Sequence, residues 1–323
     1  MSKQLRSREE RSSRKPVIVI VGPTAVGKSE LALHLARYFP GEIVSADSRQ
    51  IYRHMDIGTN KPTPDERASV PHHLIDVVNP DEDFSLAMYH QLANGALKAI
   101  QRKGKLPLLV GGSGLYVWSL VEGWKIPQVP PNPKLRHQLE ARAEQEGSQR
   151  LYQKLKDIDP TAAERINPNN ARRIIRAIEI YDATGQPSSR LPRKEVPDFP
   201  VLLIGLTQDR NELYEIIDCR VDKMIQRGLV EEVEQLLKKG YGPSLPSMSG
   251  IGYKQMVQFI RNEMTLPQAI DSIKYETHRL VRHQYAWFRL GDRRIHWFDI
   301  SKMKAEGSLA ILSKVKELVE GFI

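Results

Sequence analysis

The segment PVIVIVG (Pro16–Gly22) runs straight into Gly22-Pro-Thr-Ala-Val-Gly27-Lys28-Ser29, and this junction restricts the chain more than any other feature of its 323 residues. The β-branched run suits a strand buried on both faces of a parallel sheet. Leu31, Leu35 and Phe39 then share one face of a helix expected over Gly27–Phe39. Strand, glycine-rich turn and helix are the context in which G-x4-G-K-[ST] cradles a polyphosphate. The glycines let the backbone curl so that successive N–H groups point inward. The helix N-terminus adds the positive end of a dipole. Gly22, Pro23, Thr24, Ala25, Val26 and Gly27 would form the cradle, Lys28 would reach an outer phosphate, and the Ser29 hydroxyl could ligate Mg²⁺. The motif specifies a phosphorylated ligand without saying which one.

The alternation continues. Gly41–Ser48 reads as a second strand, Ser85–Gly104 as a helix ended by its glycine, and Leu106–Gly112 as a third buried strand followed by a helix. We therefore expect an α/β fold, a P-loop NTPase-like parallel sheet core with an inserted all-helical domain. Two proline-rich linkers, Ile126–Pro133 and Pro187–Pro200, bracket a charged helical block. Its clearest helix is Asn169–Gly185, with Asn170 as N-cap and Ile174, Ile178 and Tyr181 as the buried stripe. Val201–Thr207 resumes the strand pattern. Long helices are expected over Asn211–Lys239 and Pro267–Leu290, then a late strand near 293–299 and an amphipathic tail helix. The expected organisation is a disordered basic arm (1–15), a core (16–125 and 201–323), and a helical insertion (126–200).

Composition excludes several classes. The single cysteine, Cys219, rules out a disulfide framework and a cysteine-rich zinc site. No run approaches the roughly 18 apolar residues of a membrane span, and the first residues lack the apolar core of a secretory signal. A cytoplasmic setting is expected. The formal charge of +9 favours a polyanionic partner or simple solubility. The N-K-x-D motif of GTPases is absent, since Asn60-Lys61 is followed by Pro62-Thr63. LPLLVGG ends in glycines where many ATPases place an acid. A switch GTPase or a motor is thereby disfavoured.

Asp47 falls at the end of the second strand, on the side of a parallel sheet where ligands sit. It could hold Mg²⁺ through water or take a proton from a nucleophile; as a plain turn former it would do neither. His72 and His73 read as structural, Cys219 as inert, Met248 and Met256 as packing. No role is readable for Lys61 in GTNKP. Lys274, His278, Arg282 and Arg289 form a polar helical stripe interleaved with Tyr275, Tyr285, Trp287 and Phe288. Such a stripe can hold phosphates and stack bases or can be an ordinary solvated face.

GPTAVGKS, VSADSRQIYRHMDIGTNKP, PHHLID, LVGGSGLY, NARRIIRA and SGIGYKQM together resemble the tRNA dimethylallyltransferases, the bacterial isopentenyl-tRNA transferase family. The resemblance runs from about Val17 to about Phe298. It implies transfer of a dimethylallyl group from dimethylallyl diphosphate to N6 of the adenosine 3′ of the anticodon, on a P-loop core with a helical insertion. It implies that Thr24 to Ser29 hold the prenyl diphosphate; in this family the loop is also described as an ATP site. Asp47 would be the general base, with Lys28, Arg220 and Ser113 beside it, Ser113 standing where the family commonly has Thr. The tRNA anticodon stem-loop would meet Asp47, Ser48, Arg49 and Gln50, Ser113, Arg136, then Arg172, Arg173, Ile174, Ile175 and Arg176, and Gly250, Ile251, Gly252, Tyr253, Lys254 and Gln255. The expected cofactor is Mg²⁺ on Ser29, the expected partners are tRNA and dimethylallyl diphosphate with no membrane, and the expected state is a monomer. Two other classes need the same loop: a small-molecule kinase and a non-catalytic RNA-binding protein. The kinase has no need of GIGYKQM or an arginine-rich insertion, and the binding protein leaves Asp47 and Ser113 without purpose.

Overall fold

Val17–Val21 (β1) is fully buried and lies near the middle of the sheet, as a strand without a polar position must. The computed structural model describes residues 16–192, 194–301 and 308–323, so the basic arm expected over 1–15 lies outside the described residues. The other strands are β2 (Gly41–Ser45), β3 (His72–His73), β4 (Leu106–Val110), β5 (Val201–Thr207) and β6 (Ile295–Asp299). They form one parallel sheet in the order β3-β2-β4-β1-β5-β6. The α/β reading of the sequence therefore holds.

This order decides where a ligand can sit. From β1 the chain crosses to β2 on one side, and from β4 it returns to β5 on the other. The neighbouring strands β1 and β4 thus send their connections in opposite directions, which opens a crevice at their carboxyl ends. The phosphate loop follows β1 and the Gly111–Gly112 turn follows β4, so both border that crevice.

The chain folds as two compact units, one of Met1–Glu122 with Val196–Ile323 and one of Gly123–Glu195. In the first unit the sheet is flanked by α1 (Lys28–Tyr38), α2 (Pro64–Ser69), α3 (Leu86–Arg102) and α4 (Gly114–Val121). After the second unit come α9 (Arg210–Gln226), α10 (Leu229–Lys238), α11 (Tyr253–Ile260), α12 (Leu266–Trp287) and α13 (Ser308–Glu320). The single long helix expected over 211–239 is two, broken at Gly228. None of the described helices is long and apolar enough to cross a membrane.

The second unit holds α5 (Pro133–Glu146), α6 (Ser148–Ile158), α7 (Pro160–Ala163) and α8 (Ala171–Thr184). Asn170 caps α8 by accepting the Arg173 N–H at 3.2 Å. Leu139, Leu151, Leu155, Ile174 and Ile178 form its core. Tyr181, expected in the buried stripe, is only half-buried, and Ile175 and Ala177 complete the face instead. Its ends are joined by an antiparallel bridge between Trp124 and Lys194.

Candidate active site

The phosphate loop is built as its sequence requires. A Cβ on Gly22 would lie 2.3 Å from the Leu206 carbonyl oxygen, so no larger residue fits where the loop leaves β1. Gly27 caps α1 in the left-handed region and supplies no side-chain cap. The first N–H groups of α1 are left for an anion. Val26 is 2% exposed, so it can serve a ligand through its backbone alone. Lys28 Nζ curls back onto the Pro23 carbonyl at 2.5 Å. Burial pulls its pKa down to about 7, with Asp47 opposing that fall and Arg220 adding to it. Arg220 on α9 reaches the Thr24 hydroxyl at 3.4 Å. Burial lowers its pKa as well, against the attraction of Asp47. Two cations held where burial disfavours their charge would be stabilised by an anion beside them.

Asp47 stands just past β2. Its Oδ1 accepts the Arg49 N–H at 2.8 Å, an Asx turn that fixes the carboxylate. Ser113, at the N-cap of α4, makes no cap bond of its own. Its hydroxyl accepts the Ser48 N–H at 3.0 Å, and its N–H donates to the Ala46 carbonyl at 3.1 Å. The turns after β2 and β4 are thereby stitched together. Thr24, Asp47, Ser113 and Arg220 border one cavity of about 460 Å³. Its remaining wall is largely apolar, with Ile217, Val221, Met224, Ile273 and Leu280. A cavity lined by both charge and hydrocarbon suits a ligand of the same make-up.

Nothing in the sequence singles out Gln284 on α12. It is 8% exposed, accepts the Thr24 N–H at 2.8 Å and donates to the Gly112 carbonyl at 3.3 Å. It bridges the loops on both sides of the crevice. No local pattern marks it, because its partners lie 260 and 172 residues away.

Several expected contact residues have other work. Ile174 and Ile175 are 0% and 3% exposed in the helical core, so they cannot present themselves to RNA. Arg136 and Arg176 both grip Glu179, itself 1% exposed. Arg136 Nε and Nη2 lie 2.9 Å from its two carboxylate oxygens, and Arg176 bonds it and the Val129 carbonyl. Burial would raise the Glu179 pKa, but these arginines and the Asn132 N–H hold it at about 2. Arg172 and Arg173 are exposed. Tyr253 is buried, and Gln255 is spent accepting the Gly252 N–H at 3.0 Å. Gln50 bonds Ser45 and the carbonyls of Thr59 and Asn60. Arg49 is latched to the Pro246 carbonyl at 2.9 Å. In the late stripe, Lys274 pairs with Asp222 at 2.7 Å and His278 lies 2.9 Å from Asp218, so those two face α9.

Among the described residues no three His, Cys, Asp or Glu side chains gather as a metal cage. The donor set suits a cation that keeps its waters and takes substrate oxygens, as Mg²⁺ does. Ser29, exposed at the start of α1, carries a hydroxyl that could serve such a cation.

A sequence profile described as IPP transferase matches residues 50–291. A tRNA dimethylallyltransferase of Thermomicrobium roseum is 50% identical over 90% of this chain and 88% of its own length. One from Roseiflexus castenholzii is 54% identical over 85% of this chain and 90% of its own. The crystal structure of a tRNA isopentenylpyrophosphate transferase from Bacillus halodurans is 39% identical, covers 95% of this chain and 96% of its own, and superposes with a TM-score of 0.70. A eukaryotic dimethylallyltransferase captured acting on tRNA superposes with a TM-score of 0.82 at 27% identity, over 95% of this chain and 80% of its own. With phosphate loop, crevice and profile in agreement, the chain belongs to the IPP transferase family.

Proposed function

We propose that this chain transfers the dimethylallyl group of dimethylallyl diphosphate to N6 of the adenosine 3′-adjacent to the anticodon of a tRNA. The observation that carries this reading is the single cavity in which Asp47, Ser113, Arg220 and Thr24 meet an apolar wall. The diphosphate lies on the phosphate loop and the C5 chain on the Val221 and Met224 side. The adenine amine attacks C1 of the prenyl group, and the C1–O bond to the diphosphate breaks. The amine is a weak nucleophile because its lone pair is delocalised into the ring. Asp47 takes one N6 proton as the new bond forms. Negative charge gathers on the leaving diphosphate, where Lys28, Arg220 and the free N–H groups of α1 stabilise it. Mg²⁺, held by the Ser29 hydroxyl, would supply further positive charge at the same oxygens. Ser113 acts by holding the Ser48 turn, and so Asp47, in place.

The base must leave the anticodon-loop stack to reach the crevice. Arg172 and Arg173, exposed on α8, offer charge to the RNA backbone. The test is to incubate the protein with unmodified tRNA and either dimethylallyl diphosphate or ATP, and to weigh the nucleosides. A C5H8 mass increase on adenosine with the prenyl donor only is the expected result. A phosphorylated product from ATP would refute the reading in favour of a kinase.

A further inference from the structure

GTNKP (Gly58–Pro62) lies outside the phosphate loop, and it carries Gly58 and Thr59 to the wall of the cavity. The loop holds an unfavourable backbone: His54 and Asn60 both sit in the left-handed region, at φ 66° and 48°. Asparagine and histidine tolerate this region better than most side chains, but a loop that uses it twice must be held by its surroundings. Two opposite charges anchor the loop. Lys61, with its side chain 1% exposed, donates to the Tyr52 carbonyl at 2.6 Å, Asp56 Oδ1 at 2.7 Å and Asp76 Oδ1 at 2.6 Å. Its three ammonium hydrogens meet three acceptors. On the other side stands Glu232 of α10. Its Oε2 accepts the N–H groups of Asp56 at 2.8 Å and Ile57 at 2.7 Å. Its Oε1 accepts the Gly58 N–H at 3.2 Å and the Tyr253 hydroxyl at 2.7 Å.

Tyr253 opens α11, directly after Ile251 and Gly252, which also line the cavity. A Cβ on Gly58 would lie 2.5 Å from the Tyr253 ring, so the two segments are in direct contact. Burial, reinforced by Glu232, pushes the Tyr253 hydroxyl pKa well above its ordinary value and keeps it a donor. All four partners of Glu232 are donors, so only an acceptor without hydrogens fits among them.

We propose that Glu232 is a positioning residue for prenyl transfer: its carboxylate ties the Asp56–Gly58 backbone to Tyr253 and so sets the spacing of the two cavity walls between which the acceptor base must pass. Lys61 holds the far side of the same loop. This assignment rests on the proposed function for its substrate.

The test uses the full chain with Glu232→Gln and Tyr253→Phe. The amide in Glu232→Gln keeps the volume but turns an N–H₂ toward a donor. The phenylalanine removes one hydroxyl and leaves the packing. In Glu232→Gln, kcat/KM for tRNA should fall by at least about 10-fold, chiefly through KM, with a smaller fall of the same kind in Tyr253→Phe. The Kd for inorganic diphosphate should move less than about 3-fold in both. Amide hydrogen exchange at Asp56, Ile57 and Gly58 should speed up at least about 10-fold in Glu232→Gln. Unchanged exchange there would overturn the assignment. So would a KM for tRNA that stays put while kcat falls in step with the folded fraction, because that is the mark of a merely structural residue. If the wild type transfers no prenyl group to tRNA, the proposed function fails, and the exchange measurement still decides whether Glu232 holds the loop.

Discussion

Lys28 stands at a pKa of about 7 in the free protein, so neutral pH finds its ammonium half deprotonated. A diphosphate on the phosphate loop binds the charged form, and the anion restores the charge that burial had suppressed. Binding above pH 7 must therefore take up a proton. Raising the pH from 7 to 8.5 cuts the ammonium fraction from about one half to about 3%. The Kd for a diphosphate should rise on the order of 10-fold, or ~1–2 kcal/mol. Titration calorimetry with inorganic diphosphate in buffers of different ionisation heat reads the uptake directly: about half a proton at pH 7, nearly one at pH 8.5. The diphosphate titrates as well, and Lys28→Arg separates the two contributions. Its guanidinium stays charged across this range, so the uptake owed to residue 28 should vanish. Equal proton uptake in wild type and Lys28→Arg would refute the argument, for burial would then not have discharged the lysine.

Asp47→Asn should keep the fold and, at pH 6.5, diphosphate affinity within a few-fold, while the single-turnover rate falls on the order of 10²–10⁴-fold; a rate within a few-fold of wild type would exclude Asp47 as the base. Arg172→Ala with Arg173→Ala should leave stability within about 0.5 kcal/mol and flatten the slope of log tRNA affinity against log salt by up to about 1.5; an unchanged slope would place the basic footprint elsewhere. Arg176→Ala should instead destabilise the helical unit. A carboxyl at about 2 rather than 4.5 is worth at most about 3 kcal/mol. The arginines around it are about a third exposed, so screening leaves ~1–2 kcal/mol for the assay. Because the Glu179 pKa is depressed, that stability is present above about pH 4.5 and drains away as the pH falls toward 2. Acid titration of helical circular dichroism should show wild type and Arg176→Ala converging at low pH, and a constant gap would contradict this.

Much of the site could be read from residues in a row. The phosphate loop, its strand and its helix are a local structure, specified by adjacent glycines and by apolar spacing, and they stand where the sequence puts them. Asp47 was visible for the same reason, as an acid at a strand end. Ser113 and Arg220 came with the family resemblance, and the structure places both on the wall of the cavity with Asp47. The helical unit shows the limit of that reading. A charged helix, ARRIIRAIEIYDAT, displays arginines at a spacing that fits RNA, but periodicity cannot say which of them is already taken. Glu179 lies three residues after Arg176, and only the fold brings Arg136 and the Asn132 N–H to the same carboxylate. The same holds for the crevice. Gln284, Glu232 and Lys61 are polar residues on helices or in a loop, ordinary in their local sequence. They acquire meaning through partners 260 or 172 residues away, 174 to 176 residues away, and 15 residues away respectively. The phosphate-loop motif and the parallel sheet are written in the chain itself, because they rest on contiguous residues, whereas the class of reaction comes only with the family resemblance. Which charges are spent on holding the protein together, and which remain for a ligand, emerges only on folding, because a buried charge finds its partner through space and leaves no periodic trace along the chain.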